Sequence, residues 1–357
     1  MSATTITTSY STSTSTSLSA TATCIDIKPG KNGYLPPEAC NDILLYFPSF
    51  GAAILFSILF GLTLICHAVQ GYIYKKKYTW VIMMGALWEF LAFIFRTLLT
   101  RNQSSVGYDT AHVILFLVAP LWINAFLYMT LGRLIYFFIP DHRLSGISAQ
   151  RYGTVFVCLD IIAFIVQLGG ASITTQTDAS TATIMLGVHI YMGRIGLQEL
   201  LILIFTVLTI HLHRRMLSME HSGKLDREKL DRGSMPWRFM FYAIYATLGL
   251  ITIRIIFRLA EYARGTDTSN PVLTHEFYEY VFDALPMFFA LVILNVIHPG
   301  RVLLGPDSEF PKVSREEKKR IKNDKKEAKE SGASSQKERP TSRKEHRVCV
   351  TFCSGRR

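Results

Sequence analysis

The chain has 357 residues, of which 49% are hydrophobic and 18% charged, and it carries a formal net charge of +11. Soluble proteins carry about 25% charged residues, and here the deficit is concentrated in long apolar stretches. The composition therefore excludes an ordinary soluble protein and indicates an integral membrane protein.

The first 45 residues are rich in serine and threonine, as in TTITTSYSTSTSTSLSATAT. They have no basic start and no apolar core, so we do not expect them to be a cleavable signal peptide. We expect residues 1–45 to be a disordered, O-glycosylated extracellular segment. Cys24 and Cys40 fall within it and are candidates for a disulfide in an oxidising compartment, with two free thiols as the alternative.

Seven apolar stretches follow, each near the roughly 20 residues that a helix needs to cross a bilayer core. They cover approximately residues 46–68, 79–99, 113–137, 152–170, 184–211, 238–261 and 277–297. The pattern predicts an all-α integral membrane protein in which residues 46–299 form a bundle of seven transmembrane helices.

The orientation follows from the distribution of lysine and arginine among the connections. The first, third and fifth connections hold eleven of these residues, whereas the N-terminal segment and the remaining connections hold four. We therefore expect the N-terminus outside and the C-terminus in the cytoplasm. Asn102, in the sequence Asn102-Gln103-Ser104, falls in an outside connection and is the candidate glycosylation site.

Residues 300–357 form a basic cytoplasmic tail, in which seventeen Lys and Arg residues outnumber nine Asp and Glu residues. Basic segments beside a membrane are attracted to the anionic lipids of the inner leaflet, and we expect the tail to contact those lipids. The interleaved acidic residues argue against nucleic-acid binding. A solvated, partly helical tail is the plainer alternative.

Polar and charged side chains interrupt the predicted spans. The candidates for an interior site are Glu89, Arg96, Asp160, Gln167, Arg194, Gln198, Glu199, Arg254, Arg258, Glu261 and Asp283. A charge that faces lipid at the bilayer centre costs about 2.5–3.5 kcal/mol, so these side chains should face the interior of the bundle. Two interpretations stay open: a structural network of ion pairs, or a polar cavity that holds the head group of a ligand.

The spacing of these residues predicts which of them meet. Glu89 and Arg96 are two helical turns apart, so we expect them on one face and at one interior site. Arg254, Arg258 and Glu261 form a single stripe on the sixth span. The sixth and seventh spans are joined by a short connection and should be antiparallel neighbours, which brings Asp283 within reach of Arg254 or Arg258.

Several function classes leave a recognisable motif that this sequence lacks. There is no Gly-x-x-x-x-Gly-Lys-Ser/Thr loop for ATP, and the histidines show neither a His-x-x-x-His nor a His-Glu-x-x-His spacing. We therefore expect no cofactor, no metal and no enzymatic activity. Seven spans with an outside N-terminus also suit a receptor, or a regulator of lipid asymmetry and stress signalling. Against a receptor, NVIHPG (295–300) stands where receptors usually have Asn-Pro-x-x-Tyr.

Six segments, in order along the chain, carry a resemblance to a known family. They are FLVAPLWINAFLYMTLGRLI (116–135), LDIIAFIVQLGG (159–170), GRIGLQ (193–198), RIIFRLAEYARG (254–265), EFYEYVFDALPM (276–287) and NVIHPG (295–300). Together they resemble the fungal RTA-like, lipid-translocating exporter family, over about residues 44–304. One segment departs from the family pattern Glu-x-x-Gly-Tyr-x-x-Arg, because Ala92 and Phe93 replace the Gly and Tyr between Glu89 and Arg96.

The resemblance implies a seven-span plasma-membrane protein with its N-terminus outside. Its implied function is to translocate or extrude amphipathic lipids, such as sphingoid long-chain bases and sterol-like or toxic amphiphiles, and so to give resistance to them. From the residues themselves, we expect a cationic amphiphile to present its ammonium to Glu89, Asp160 or Asp283, with its chain between the helices.

Overall fold

The computed structural model describes residues 46–174, 180–263, 270–305 and 308–310, together with short pieces between residues 25 and 44 and residue 323. Within these ranges the chain is almost entirely helical, and seven helices are long and apolar enough to cross a membrane. The predicted helical fold is confirmed, with seven candidate membrane-spanning helices among the described residues. The described helices belong to one compact unit, Met1–Glu309.

The first six spans are single helices. They are α1 (Phe50–Tyr74), α2 (Trp80–Leu99), α3 (Val106–Phe138), α4 (Ala149–Thr174), α5 (Thr181–His221) and α7 (Trp237–Tyr262), with a short α6 (Arg227–Arg232) before the last. Serine side chains cap several of them: the Ser49 hydroxyl accepts from the backbone N–H of Ala52, and the Ser105 hydroxyl accepts from that of Tyr108. These bonds satisfy amide groups that a helix start leaves without partners.

The seventh span, Glu276–Arg301, is built from pieces. A four-residue α8 (Pro271–Thr274) precedes it, and the span itself consists of α9 (Glu276–Glu279), a π-helical turn (Tyr280–Ala284), α10 (Leu285–Val296) and a final 3₁₀ turn (Pro299–Arg301). Pro286 lies at the start of α10. A proline has no N–H to donate to the preceding turn, which favours the wider π turn just before it.

The spans pack in chain order into a closed ring, in which each helix contacts the next and α10 returns to α1. We call the end of the bundle where α1 begins the N-terminal end and the opposite end the C-terminal end. A small hairpin of β1 (Arg143–Leu144) and β2 (Ile147–Ser148) joins α3 to α4 at the C-terminal end. Ser145 and Gly146 both have positive φ, as a tight hairpin turn of this kind requires.

Helix α5 is much longer than its apolar stretch predicts. At a rise of 1.5 Å per residue, the 41 residues of α5 span about 60 Å, twice the thickness of a hydrocarbon core. The apolar stretch was predicted to end at residue 211, but polar residues continue the helix to His221. Hydropathy detects only the apolar part of a helix. The last ten residues of α5 are largely polar, so they extend the helix beyond the apolar stretch without contributing to that signal.

Residues before α1 pack against the N-terminal end of the bundle. Leu35, Ala39 and Leu44 are buried, and the Leu35 backbone N–H donates to the Gln103 side chain at 2.9 Å. Gly33, with φ of 80°, lies so close to the Arg101 carbonyl that a side chain there would collide with it. Leu35, Ala39 and Leu44 therefore pack into the protein, whereas other described residues of this segment, such as Ile25 and Ile43, are exposed.

Several predictions fall on residues that the structure does not describe or does not test. Cys24, Cys40 and most of the tail lie outside the described residues. Val302 and Leu303 are buried against the helical unit, so the first residues of the predicted tail pack with it. Asn102 is exposed in the short connection after α2, and its glycosylation stays a prediction. The domain boundaries and the membrane orientation also stay predictions.

Candidate functional site

A buried cluster of charges lies between α7 and the seventh span. The Asp283 carboxylate, which is fully buried in the π turn, pairs with the Arg254 guanidinium and, at 2.5 Å, with the Arg258 Nε. Asp283 was predicted to reach Arg254 or Arg258, and it contacts both of them. We call Glu89, Arg254, Arg258, Glu261 and Asp283 the central cluster.

Other contacts hold the two arginines in place. Arg254 donates to the Phe116 carbonyl at 3.1 Å, and its guanidinium lies 4.7 Å from the centre of the Phe116 ring. Arg258 pairs with Glu261, one turn further along α7, at 2.9 Å. These contacts arise because Arg254, Arg258 and Glu261 share one face of α7, as their spacing predicted, and because α3 brings Phe116 against that face.

Glu89 differs from every other carboxylate in the central cluster. Its side chain is completely buried, and among the described residues it has neither a hydrogen-bond partner nor an ion pair, whereas Asp283 and Glu261 both pair with arginines. It lies within electrostatic range of Arg254, Arg258 and Asp283, but both guanidiniums are already engaged by other carboxylates. The cluster thus contains three carboxylates and two guanidiniums, and Glu89 is the one in excess.

A second cluster occupies the N-terminal end of the bundle, and it contains Arg96. The Arg96 guanidinium pairs with Glu276 at 2.9 Å and with Glu279 at 3.3 Å, both from α9. It makes no pair with Glu89, so the prediction that these two residues shape a single site is wrong. Two helical turns separate them by about 10 Å along α2, and α9 offers Arg96 closer carboxylates.

Residues of the preceding segment and of α3 complete this N-terminal cluster. The Tyr46 hydroxyl accepts from Arg96 and donates to Glu279 at 3.2 Å, and burial, followed by the nearby Glu279 carboxylate, raises the pKa of Tyr46 above its usual value. The Ser49 backbone N–H donates to Glu276 at 2.6 Å. His112 bridges the Ala92 carbonyl and Glu279 at 3.0 and 3.2 Å. The cluster therefore ties α2, α3, α9 and the start of α1 together.

A third group of polar residues joins α3, α4 and α5. Asp160 accepts from the Tyr128 hydroxyl at 3.0 Å and lies within electrostatic range of Arg194. Arg194 and Gln198 are buried on one face of α5 and line a cavity of about 30 Å³ that also reaches Arg254 and Arg258. This volume holds about one water molecule, so a head group needs the helices to move apart before it enters.

Two predicted site residues stand apart from these groups. Glu199 is half-buried and accepts from the Thr252 hydroxyl at 3.1 Å, so it links α5 to α7 outside the central cluster. Gln167 lies on α4, but its side chain is not among those that the structure describes. The proposed roles of all these residues in ligand binding stay predictions.

Sequence reasoning missed four residues of the N-terminal cluster, namely Tyr46, His112, Glu276 and Glu279. The two glutamates lie at the charged start of the seventh span and were not counted among its interior charges. A signal was present, because their spacing of three residues puts both on one face of a helix. Tyr46 carried no such signal, since it precedes α1 and its contact with Arg96 depends on how the chain folds back.

Comparisons with known proteins agree on one family. The family model described as RTA1 like protein matches residues 82–305, a range that contains the whole central cluster. A probable lipid transporter, atnI of Emericella nidulans, is 63% identical over 296 residues, which cover 83% of this chain and 77% of the relative.

More distant relatives carry names that describe similar activities. The sphingoid long-chain base transporter RSB1 of Saccharomyces cerevisiae is 28% identical over 313 residues, or 78% of this chain and 80% of the relative. The lipid-translocating exporter-like protein RTA1 of Leptosphaeria maculans is 27% identical over 284 residues, or 74% and 52%. No solved structure matches the chain.

Proposed function

Since the chain belongs to the RTA1-like protein family, we propose that it is a membrane transporter that translocates or extrudes amphipathic lipids, and that its ligands carry a positively charged head group. The fold is that of a multi-pass membrane protein, and relatives that cover most of it are named as lipid transporters. Sphingoid long-chain bases and toxic cationic amphiphiles are the ligands that this proposal favours. Resistance to them follows if they are moved out of the cell.

The observation that carries the proposal is the excess carboxylate of Glu89. A buried carboxylate without a partner is costly, and a cation beside it removes most of that cost. The ammonium of a long-chain base supplies both the missing charge and hydrogen-bond donors for the two free oxygens. Because Arg254 and Arg258 are held by Asp283 and Glu261, they do not compete for Glu89.

The N-terminal cluster gives the ligand a first contact. Glu279 is the more exposed of its two carboxylates, with 20% of its side chain accessible, whereas Glu276 is nearly buried. In the proposed orientation this end of the bundle faces outside, and the cluster lies where the head group of an outer-leaflet lipid would be. The hydrocarbon chain of the ligand then lies between helices, with the head group near Glu89 at mid-depth.

We propose that the protein lies in the plasma membrane. The plasma membrane is the compartment in which extrusion of an amphiphile would give resistance. The basic tail would then contact the anionic lipids of the inner leaflet.

A translocation assay in liposomes tests this function. The full chain is reconstituted, and the movement of a fluorescent long-chain base is compared with that of a labelled phosphatidylcholine and a labelled sterol. We expect the long-chain base to cross faster than in protein-free liposomes, and faster than the two other lipids relative to the same controls. If all three lipids cross at the protein-free rate, the chain is not a translocator, and a receptor or regulator becomes the better interpretation.

A further inference from the structure

A groove of about 530 Å³ runs along the membrane-facing side of α1 and α2. It extends from Ile54 to Ile65 on α1, about 16 Å along the helix axis, or roughly half the thickness of a hydrocarbon core. No charged side chain lines it. It is separate from the central cluster, and nothing in the proposed function assigns it a role.

The groove depends on a glycine. A side chain at Gly61 would begin 3.2 Å from the ring of Phe90, which is tighter than ordinary contact. The backbone at Gly61 therefore lies against the Phe90 ring, and position 61 adds no side chain to the middle of the groove. A flat, rigid hydrocarbon fits such an open surface better than a flexible chain, because it loses less conformational freedom on binding.

Two hydroxyl groups meet at the end of the groove nearer the N-terminal end of the bundle. Ser57 donates its proton to the Ala53 carbonyl at 2.9 Å, and Thr97 donates its proton to the Phe93 carbonyl at 2.8 Å. The two hydroxyl oxygens lie 3.3 Å apart, within hydrogen-bond distance, and either can donate to the other instead of to the backbone. A hydroxyl has one proton and two acceptor lone pairs, so in either arrangement the pair keeps free lone pairs and can accept a hydrogen bond from a ligand.

The absence of charge along the described walls decides what kind of donor fits. An ammonium in this groove would have no carboxylate beside it, and an uncompensated charge in an apolar site is costly. A neutral hydroxyl has no such cost. We propose that the groove binds a membrane sterol, with its hydroxyl on Ser57 and Thr97 and its ring system along Gly61 and Phe90. The sterol lies in the leaflet at the N-terminal end as a bound lipid, not as transported cargo.

Photolabelling of the reconstituted full chain tests this site. Liposomes of phosphatidylcholine contain a photoactivatable sterol, and the labelled peptides are identified after irradiation. We expect label on the α1 and α2 segments that line the groove, and competition by excess unlabelled sterol but not by a saturated fatty alcohol. Gly61→Leu should abolish this labelling by filling the groove. Ser57→Ala with Thr97→Val should lower it about fivefold, as the loss of one hydrogen bond implies.

Matched variants control for general effects on the bundle. Gly196→Leu adds the same side chain at a position where the glycine faces open space, and Thr206→Val removes a hydroxyl that also donates to its own helix. Both should label like the wild type. Label that maps elsewhere, labelling unchanged in both groove variants, or equal competition by the fatty alcohol would overturn the proposal. The translocation assay is read separately, so its failure leaves this result interpretable.

Discussion

At the scale of single residues, what matters is which buried charges have partners. Asp283 forms ion pairs with two guanidiniums, and Arg96 forms ion pairs with two carboxylates, so both residues stabilise the packing of the helices. Glu89 is equally buried and has no hydrogen-bond partner among the described residues. Changing Asp283 should therefore affect folding first, whereas changing Glu89 should affect the ligand first.

The first prediction concerns Asp283. Asp283→Asn removes the carboxylate that Arg254 and Arg258 share, and breaking a buried pair costs about 3–5 kcal/mol in the free energy of unfolding. Thermal unfolding of the purified protein in detergent should show a markedly lower melting temperature. Glu220→Gln, which removes a carboxylate from the exposed pair with Arg238, should change it little. Equal melting temperatures for the two variants would contradict a structural role for Asp283.

Residue spacing predicted some of these pairings but not others. Helical periodicity predicted that Arg254, Arg258 and Glu261 share one face of α7. The antiparallel packing of the sixth and seventh spans predicted that Asp283 reaches this face. The partners of Arg96 did not follow, because they come from the charged start of the seventh span and from the segment before α1. The isolation of Glu89 was equally unpredictable, since it depends on where every other charge finds its partner.

At the scale of elements, the irregular start of the seventh span positions both clusters. The π turn sets the direction of Asp283 toward α7 and the direction of Glu276 toward α2. A proline inside an apolar stretch predicts an irregular helix, but not which kind. The contact between Tyr46 and Arg96 was equally unpredictable, because the polar composition of the N-terminal segment does not indicate where its residues pack.

The second prediction concerns Pro286. Pro286→Ala restores a backbone N–H and favours a regular helix, which would turn α9 by about 100° relative to α10 and move Glu276 away from Arg96. The coupling between Arg96 and Glu276 is measured by a double-mutant cycle on melting temperature, in both backgrounds. We expect strong coupling in the wild type and little in Pro286→Ala. Pro120→Ala, on α3, is the control and should preserve the coupling between Arg96 and Glu276. If the coupling also persists in Pro286→Ala, the π turn does not position Glu276.

The third prediction concerns the segment before α1. Tyr46→Phe removes a hydroxyl that bonds two charged side chains, and such bonds contribute about 1.5–3 kcal/mol each to stability. The variant should unfold at a lower temperature than the wild type. Tyr72→Phe is the matched control, because Tyr72 is 82% exposed on α1. A Tyr46→Phe protein as stable as this control would show that the segment does not hold the N-terminal cluster together.

At the scale of the whole molecule, the ring of seven helices was predictable from hydropathy, because each span must bury its polar backbone within a helix. The lengths of the helices were not predictable in this way, as the polar continuation of α5 shows. The orientation rests on the asymmetry of eleven against four basic residues and on no contact within the bundle.

The fourth prediction tests that orientation. Protease is added to intact cells that carry one epitope tag before residue 1 and another after residue 357. The first tag should be lost and the second kept, because the distribution of Lys and Arg predicts an outside N-terminus and a cytoplasmic tail. Permeabilised cells, in which both tags should be cleaved, are the control. Loss of only the C-terminal tag in intact cells would contradict the proposed topology and indicate the opposite orientation.

The most direct test of the central claim is the effect of Glu89→Gln on translocation in liposomes. Glutamine keeps the size of the side chain and removes its charge, and the excess carboxylate is lost while the pairs of Asp283 stay intact. The measurement compares a fluorescent long-chain base with its N-acetylated form, which has no positive charge. We expect the variant to keep its melting temperature, to lose most of its transport of the charged lipid, and to lose the preference for that lipid over the acetylated form. A variant that transports the charged lipid with the wild-type rate and preference would contradict the account, because the ammonium would then bind elsewhere.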